Sequence, residues 1–276
     1  MSELITSLSN PLVKQARSLR QKQGRSETGL FLVEGIHHVG EAAEAGWDIQ
    51  SVLYAPDLLT SDFARDLIAL LETKQVRTQS VSAQVMESLA EKDNPTGILA
   101  LVSQRARTLA GFSAADVSSA VALVSPQDPG NVGSILRTMD AVGADALFLL
   151  DGGVDVYHPS VVRASMGTIF WKPILHATFD EFADWARRSN FQLIGASAHA
   201  AADYRAAQVT PPWILLLGSE QKGLSPLQLS SCNLTVSLHM RGRSSSLNLS
   251  VAAGILLYEF FTEKQESNEN TQRNRM

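Results

Sequence analysis

The chain has 276 residues, 45% of them hydrophobic and 18% charged, with a net charge of −5 at neutral pH. That mixture excludes an intrinsically disordered chain, and no apolar run reaches the ~18 residues of a membrane-spanning helix. The lone Cys232 excludes an internal disulfide and fits a reducing cytoplasm, the first ten residues lack the features of a secretory signal, and six scattered histidines suggest no structural metal site.

Residues 1–102 read as a small α/β unit. Its first element is predicted to be a basic amphipathic helix over 11–23, with Leu12, Val13, Ala16 and Leu19 on one side of the wheel. Lys14, Arg17, Lys22 and Arg25 gather on the other side, in a stretch without acids. Such a strip is either a solvated face or a phosphate-contacting one, and charge alone does not separate the two. Strands follow at 29–33, 51–54 and 98–102, with helical periodicity over 36–45, 61–72 and 82–90. Residues 103–118 alternate small and polar side chains and read as a linker.

From 119 to 262 the pattern becomes strand, loop, helix, repeated. Apolar strands are expected at 120–125, 146–150, 191–196, 213–217 and 234–238. Helices are expected over 131–142, 159–167, 179–188 and 247–262. Continuous apolar strands alternating with helices imply a parallel sheet covered on both faces, so the fold class is α/β. The polar stretch 263–276 reads as a disordered tail.

Ligands of such sheets bind at loops beyond the carboxyl ends of the strands. Three loops qualify, at 126–133, 218–224 and 240–248. The first holds no G-x-G-x-x-G. The second has Leu224 where a phosphate-binding loop needs Lys, so Walker-type nucleotide binding is rejected. The third carries Arg241, Arg243 and three serines and opens the last helix, a place where free N–H groups collect ligands. Taken singly, Asn131 is a helix N-cap or a site residue, and Arg137 a surface arginine or a functional one.

As an ordered set these loops carry a resemblance. Asn131, Gly133 and Arg137 form N-x-G-x-x-x-R, residues 217–224 form L-G-x-E-x-x-G-L, and residues 240–253 form M-x-G-x-x-x-S-L-N-x-S-x-A-A. In order and spacing they resemble the three motifs of the SpoU, or TrmH-type, RNA 2′-O-methyltransferases of the SPOUT superfamily. Ser7 to Lys14 (S-x-x-N-P-x-V-K) and Phe31 to Gly35 are similar to the substrate-binding domain found in one branch of that family.

The resemblance implies a methyltransferase domain with a deep trefoil knot, and a small N-terminal α/β domain of the ribosomal protein L30-like type. It implies a homodimer with the active site close to the interface. S-adenosylmethionine would be held by Leu217, Gly218, Leu238, Met240 and Leu247. The acceptor would be a ribose 2′-hydroxyl of RNA, with 23S ribosomal RNA favoured over tRNA; a catalytically silent RNA-binding dimer is the rival. Asn131, Arg137, Glu220, Ser246 and Asn248 match the family's catalytic positions. A guanidinium hardly ever gives up its proton, so Arg137 is better suited to binding phosphate and stabilising a developing alkoxide than to acting as a base. Lys14, Arg17, Lys22, Arg25 and Arg163 are the expected RNA contacts, the last in a run (with Ser165 and Gly167) similar to a family stretch near the RNA. His239 departs from the family, which commonly has proline there.

Overall fold

The computed structural model describes residues 4–90 and 96–273, with side chains described up to residue 261. In chain order the elements begin α1 (Pro11–Ser18), α2 (Lys22–Thr28), β1 (Leu30–Glu34), α3 (Ile36–Glu44) and β2 (Ile49–Tyr54). Then come α4 (Asp62–Thr73), β3 (Arg77–Ser80), α5 (Ala83–Leu89), β4 (Ile98–Ser103), β5 (Ser119–Val124), α6 (Pro129–Val142) and β6 (Ala146–Leu150). After these lie α7 (Pro159–Ala164), β7 (Ile174–Ala177), α8 (Phe179–Arg188), β8 (Gln192–Ala196) and β9 (Ala202–Asp203). The chain closes with β10 (Trp213–Leu217), α9 (Pro226–Ser230), β11 (Leu234–Ser237) and α10 (Leu249–Arg273).

Contacts divide the chain into two compact units, Met1–Arg105 with Asp155–Trp171, and Ala106–Val154 with Lys172–Met276. The first changeover falls inside the segment read as linker. Residues 155–171, which the sequence places within the second segment, group instead with the first.

The first unit is built on a four-stranded sheet of order β1-β4-β2-β3, antiparallel except for β2 with β3. Alternation along the strands gives it two apolar faces. Leu32, Leu53, Leu99 and Leu101 pack with Leu12, Val13, Ala16 and Leu19 of the α1 region and Val85, Met86 and Leu89 of α5. On the opposite face, Phe31 meets Tyr157 (ring centroids 4.6 Å apart), Trp47 (5.8 Å) and Phe170 (6.4 Å). Trp47 Nε1 donates to the Phe170 carbonyl at 2.9 Å. The segment 155–171 therefore completes the core of the first unit.

The expected helix over 11–23 is broken. After α1 the chain turns, and α2 runs so close to α1 that a Cβ on Gly24 would collide with the Ser18 carbonyl. The wheel drawn through residue 25 does not survive that turn. Arg25, expected on the phosphate-contacting strip, is buried at 2% exposure and pairs with Asp155 at 2.7 Å. Its Nη1 also donates to the Leu19 and Arg20 carbonyls, both at 2.9 Å. Arg25 thus staples a turn rather than facing solvent.

The second unit carries a wholly parallel seven-stranded sheet, order β7-β6-β5-β10-β8-β11-β9. Every residue of β5, β6 and β10 is buried, as expected for strands covered on both faces. Phe148, Phe182, Trp185 and Phe191 pack together in its core. The last helix runs to Arg273 and so covers most of the segment expected as a disordered tail; residues 274–276 lie outside the described residues. Glu, Lys and Gln between 263 and 273 are good helix formers, which lets the apolar helix continue. No helix among the described residues is long and apolar enough to cross a membrane.

Candidate active site

Four neighbouring strands, β5, β10, β8 and β11, point their carboxyl ends to one edge of the parallel sheet. The loops that leave them surround a cleft of about 1120 Å³. All three motif loops contribute, together with residues 196–199 after β8. Leu217, Gly218, Glu220, Leu238, Met240, Ser246, Leu247, Asn131 and Asn248 all line it.

The first loop is held by a helix start. Asp128 caps α6, its Oδ1 accepting from the N–H groups of Gly130 (2.6 Å) and Asn131 (3.1 Å), and Pro129 occupies the first helical position. The capping reading of Asn131 is therefore corrected: Asp128 takes that role. Asn131 is left free to turn its buried amide, 7% exposed, into the cleft.

A polar chain then joins the three loops. Asn248 stands before α10 and accepts through Oδ1 from the Ser250 N–H (2.9 Å) and hydroxyl (2.7 Å). With its oxygen so used, its Nδ2 donates to Asn131 Oδ1 at 2.9 Å. Asn131 Nδ2 in turn donates to Glu220 Oε1 at 3.0 Å. Glu220 also accepts from the backbone N–H groups of Gln127 (Oε2, 2.9 Å) and Asp128 (Oε1, 3.1 Å). Partial burial pushes the Glu220 carboxyl up, but the bonds from Asn131 and the backbone N–H groups of Glu220, Gln127 and Asp128 outweigh it and hold the group below the usual carboxylate range.

The second loop is tight for a steric reason. A Cβ on Gly218 would land on the backbone of Gly223 and Leu224, so only glycine permits the loop to close. Gly223 supplies a φ of +63°, and its N–H donates to the Ser219 carbonyl at 2.9 Å. The slot beside it is apolar, from Leu217, Leu238, Met240 and Leu247, with strand-end and loop backbone at its rim. That donor set fits S-adenosylmethionine: apolar side chains for the adenine and backbone groups for its ring nitrogens.

One expected catalytic residue stands elsewhere. Arg137 is exposed on α6, about 9 Å along the helix axis from Asn131, and does not line the cleft. Its guanidinium has no hydrogen-bond or ion-pair partner among the described residues. Ser246 lines the cleft with a hydroxyl that has no partner among them either. In the first unit, Lys14, Lys22 and Arg163 are exposed, and Arg17 is half-buried and donates to the Ser88 hydroxyl at 3.2 Å. Ser165 is fully buried and donates to the Val162 carbonyl, while a Cβ on Gly167 would collide with the Glu41 side chain. Sequence reasoning missed Asp128, which its place before Pro129-Gly130 could have signalled, and His199 and Lys222 on the cleft wall, which nothing signalled. Exposed His239 lies 4.0 Å from Asp203. Among the described residues no group of three or more His, Cys, Asp or Glu side chains could hold a metal ion.

Comparison with known proteins bears on this geometry. The SpoU rRNA Methylase family matches residues 118–258, and the MRM3-like substrate binding domain matches residues 10–100. A 23S rRNA (uridine(2479)-2′-O)-methyltransferase of Streptomyces viridochromogenes is 34% identical, covering 87% of this chain and 85% of its own. The 23S rRNA (guanosine(2553)-2′-O)-methyltransferase RlmP of Bacillus subtilis is 29% identical over 92% of this chain and 97% of its own. The solved structure of an AdoMet-bound rRNA methyltransferase from Sinorhizobium meliloti matches with a TM-score of 0.86 at 32% identity, covering 95% of this chain and 98% of that one.

Proposed function

The chain belongs to the SpoU rRNA methylase family, and we propose that it transfers a methyl group from S-adenosylmethionine to a ribose 2′-hydroxyl of 23S ribosomal RNA in the cytoplasm. The observation that carries this reading is the chain Asn248–Asn131–Glu220, which draws all three motif loops around one cleft. The two named 23S relatives act on a uridine and a guanosine, so what they share is the ribose and not the base.

Leu217, Gly218, Leu238, Met240 and Leu247 would hold the cofactor, which supplies an electrophilic methyl on a sulfonium. With the cofactor bound, the methyl would pass from its sulfonium to the 2′-oxygen, leaving the neutral thioether, and the hydroxyl proton would be released to water. Glu220 is ill suited to take that proton, because donors occupy both of its oxygens and hold it a weak base. Its work is positioning, and Asn131 and Asn248 share it. Ser246, whose hydroxyl on the cleft wall has no partner among the described residues, is placed to bind the ribose. Arg137 keeps its charge and stabilises the developing alkoxide and a neighbouring phosphate.

Because Arg137 lies off its own cleft, the reading includes a homodimer in which α6 of one copy serves the cleft of the other. The exposed Val251, Ile255 and Tyr258 of α10 support it, forming an apolar stripe at i, i+4 and i+7 on the helix that packs along α6. The trefoil knot and an L30-like first unit belong to the same reading; insertion of β10 between the earlier strands β5 and β8 supports the former. Lys14, Arg17, Lys22 and Arg163 remain the RNA contacts on the first unit.

The test is transfer of a labelled methyl group to unmodified 23S RNA, ribosomal subunits and tRNA, followed by nucleoside analysis. A 2′-O-methylnucleoside in 23S RNA is the expected outcome. Labelled tRNA would move the substrate, methylated bases would overturn the acceptor, and no transfer with no cofactor binding would make the protein a silent RNA binder.

A further inference from the structure

The third motif loop carries two charges that its motif does not explain. Arg241 and Arg243 fall on open positions of M-x-G-x-x-x-S-L-N, where the pattern asks for no particular side chain. Both are exposed, and neither guanidinium has a hydrogen-bond or ion-pair partner among the described residues. In a chain of net charge −5, this makes the loop a local basic patch.

The loop presents that patch outward. Met240, Ser245 and Ser246 line the cleft, whereas Arg241 and Arg243 do not and stand outside its wall. A Cβ on Gly242, between them, would meet no atom within 4 Å, so the loop leaves open space there. Its far end is tied down, because the Ser244 hydroxyl donates to the Ser246 carbonyl at 2.7 Å. That turn joins the two arginines to the serine placed to bind the ribose.

Neighbouring carboxylates leave the charge uncancelled. Asp203, beside His239, is held by Arg205 through bonds of 2.8 and 2.9 Å. Glu220 turns its oxygens to the first loop, and Asp128 caps α6. Lys222, on the cleft wall, adds a third cation without an ion pair among the described residues.

The acceptor itself supplies the matching anion. The 2′-oxygen and the 3′-phosphodiester sit on adjacent carbons of one ribose, so a strand that offers its 2′-hydroxyl to the cleft brings phosphates to the cleft mouth. A guanidinium fork binds a phosphate through two parallel hydrogen bonds. The cofactor also carries an anion, its carboxylate, but its slot lies within the cleft and the arginines stand outside. We propose that Arg241 and Arg243 clamp the RNA backbone beside the acceptor ribose, each binding one phosphate. The inference rests on the RNA-directed reading of the protein and gives the second unit a hold of its own on the strand.

The test measures binding of the full-length protein to a 23S RNA transcript over a series of salt concentrations, beside calorimetric binding of S-adenosylmethionine. One variant pairs Arg241→Gln with Arg243→Gln; the other pairs Arg241→Lys with Arg243→Lys and keeps the charge. The glutamine pair should lower RNA affinity about tenfold or more and flatten the log–log salt slope by about 1.4–1.8, at ~0.7–0.9 for each phosphate. The lysine pair should keep the slope, and both variants should bind the cofactor as the parent does, which also shows that they fold. An unchanged affinity and slope in the glutamine pair, with the parent binding RNA, would overturn the clamp alone. Loss of cofactor affinity with RNA binding kept would overturn it too, and give the arginines to the cofactor carboxylate. A parent chain without affinity for the RNA would overturn the RNA-directed reading and the clamp together.

Discussion

Asn248 donates from Nδ2 to the Oδ1 of Asn131, 117 residues earlier in the chain, at 2.9 Å. The direction of that bond is fixed, because Ser250 occupies the Asn248 oxygen and Glu220 accepts from the Asn131 nitrogen. Asn248→Asp should keep the helix cap but set a carboxylate oxygen against the Asn131 oxygen. The expected loss is about 1–3 kcal/mol in urea unfolding, with methyl transfer falling further than stability. Asn248→Ala should cost about 1 kcal/mol more, because the cap goes too. An Asp variant as stable and active as the parent would show that the bond does not join the loops.

Glu220 gives the cleft a pH dependence of known sign. Its folded pKa lies below the ordinary value of 4.5, so the charged form is the one the loops stabilise. The contribution is fully present above that value and is lost as pH falls through the lower folded value. Cofactor affinity measured calorimetrically should therefore be level above about pH 5 and drop on the acid side. Glu220→Gln should have the lower affinity at neutral pH and lose this acid limb.

Arg137→Ala should leave stability within about 0.5 kcal/mol, since the side chain is exposed and makes no hydrogen bond or ion pair among the described residues. Cofactor binding should also be unchanged, while kcat falls about 100-fold or more. Unaltered turnover would remove Arg137 from the reaction.

Val251→Glu places a charge in the exposed stripe of α10. Sedimentation should show a dimer for the parent chain and a monomer for the variant. If Arg137 serves the partner's cleft, the monomer should bind cofactor yet transfer nothing. A parent chain sedimenting as a monomer would dispose of the shared site.

Burial pushes the Cys232 thiol up to about 11. Thiolate is then scarce at pH 8, and alkylation of the native protein should be much slower than that of the urea-unfolded chain. Equal rates would mean that the Cys232 region opens readily.

The periodic parts of the fold were legible, and the reasons differ from element to element. β10 and α8 match their expected bounds because each carries a clean apolar signal and a marked end, the capping Thr178 of α8 among them. β3 was missed because its residues, Arg77–Ser80, are polar and pair with only one neighbour at the sheet edge. The break at Ser18 was missed because Gly24 reports a close approach between helices, which no helical wheel contains. In the candidate site, Asn131, Glu220 and Asn248 were legible as motif positions. The bonds joining them were not, since they depend on strand order. Where residues 155–171 belong was invisible for the same reason.

That last segment has a consequence for how the protein is made. Phe31 and Trp47 emerge early in translation, but their partners Tyr157 and Phe170 come far later. Arg25 likewise waits for Asp155. Between the end of the first stretch and the end of the second lie the 66 residues from Ala106 to Trp171. At ordinary rates of synthesis the nascent chain carries an uncovered aromatic face and an unmatched arginine for roughly 3–13 s. A release of the chain at residue 105 would make that condition permanent and leave the first unit without part of its own core.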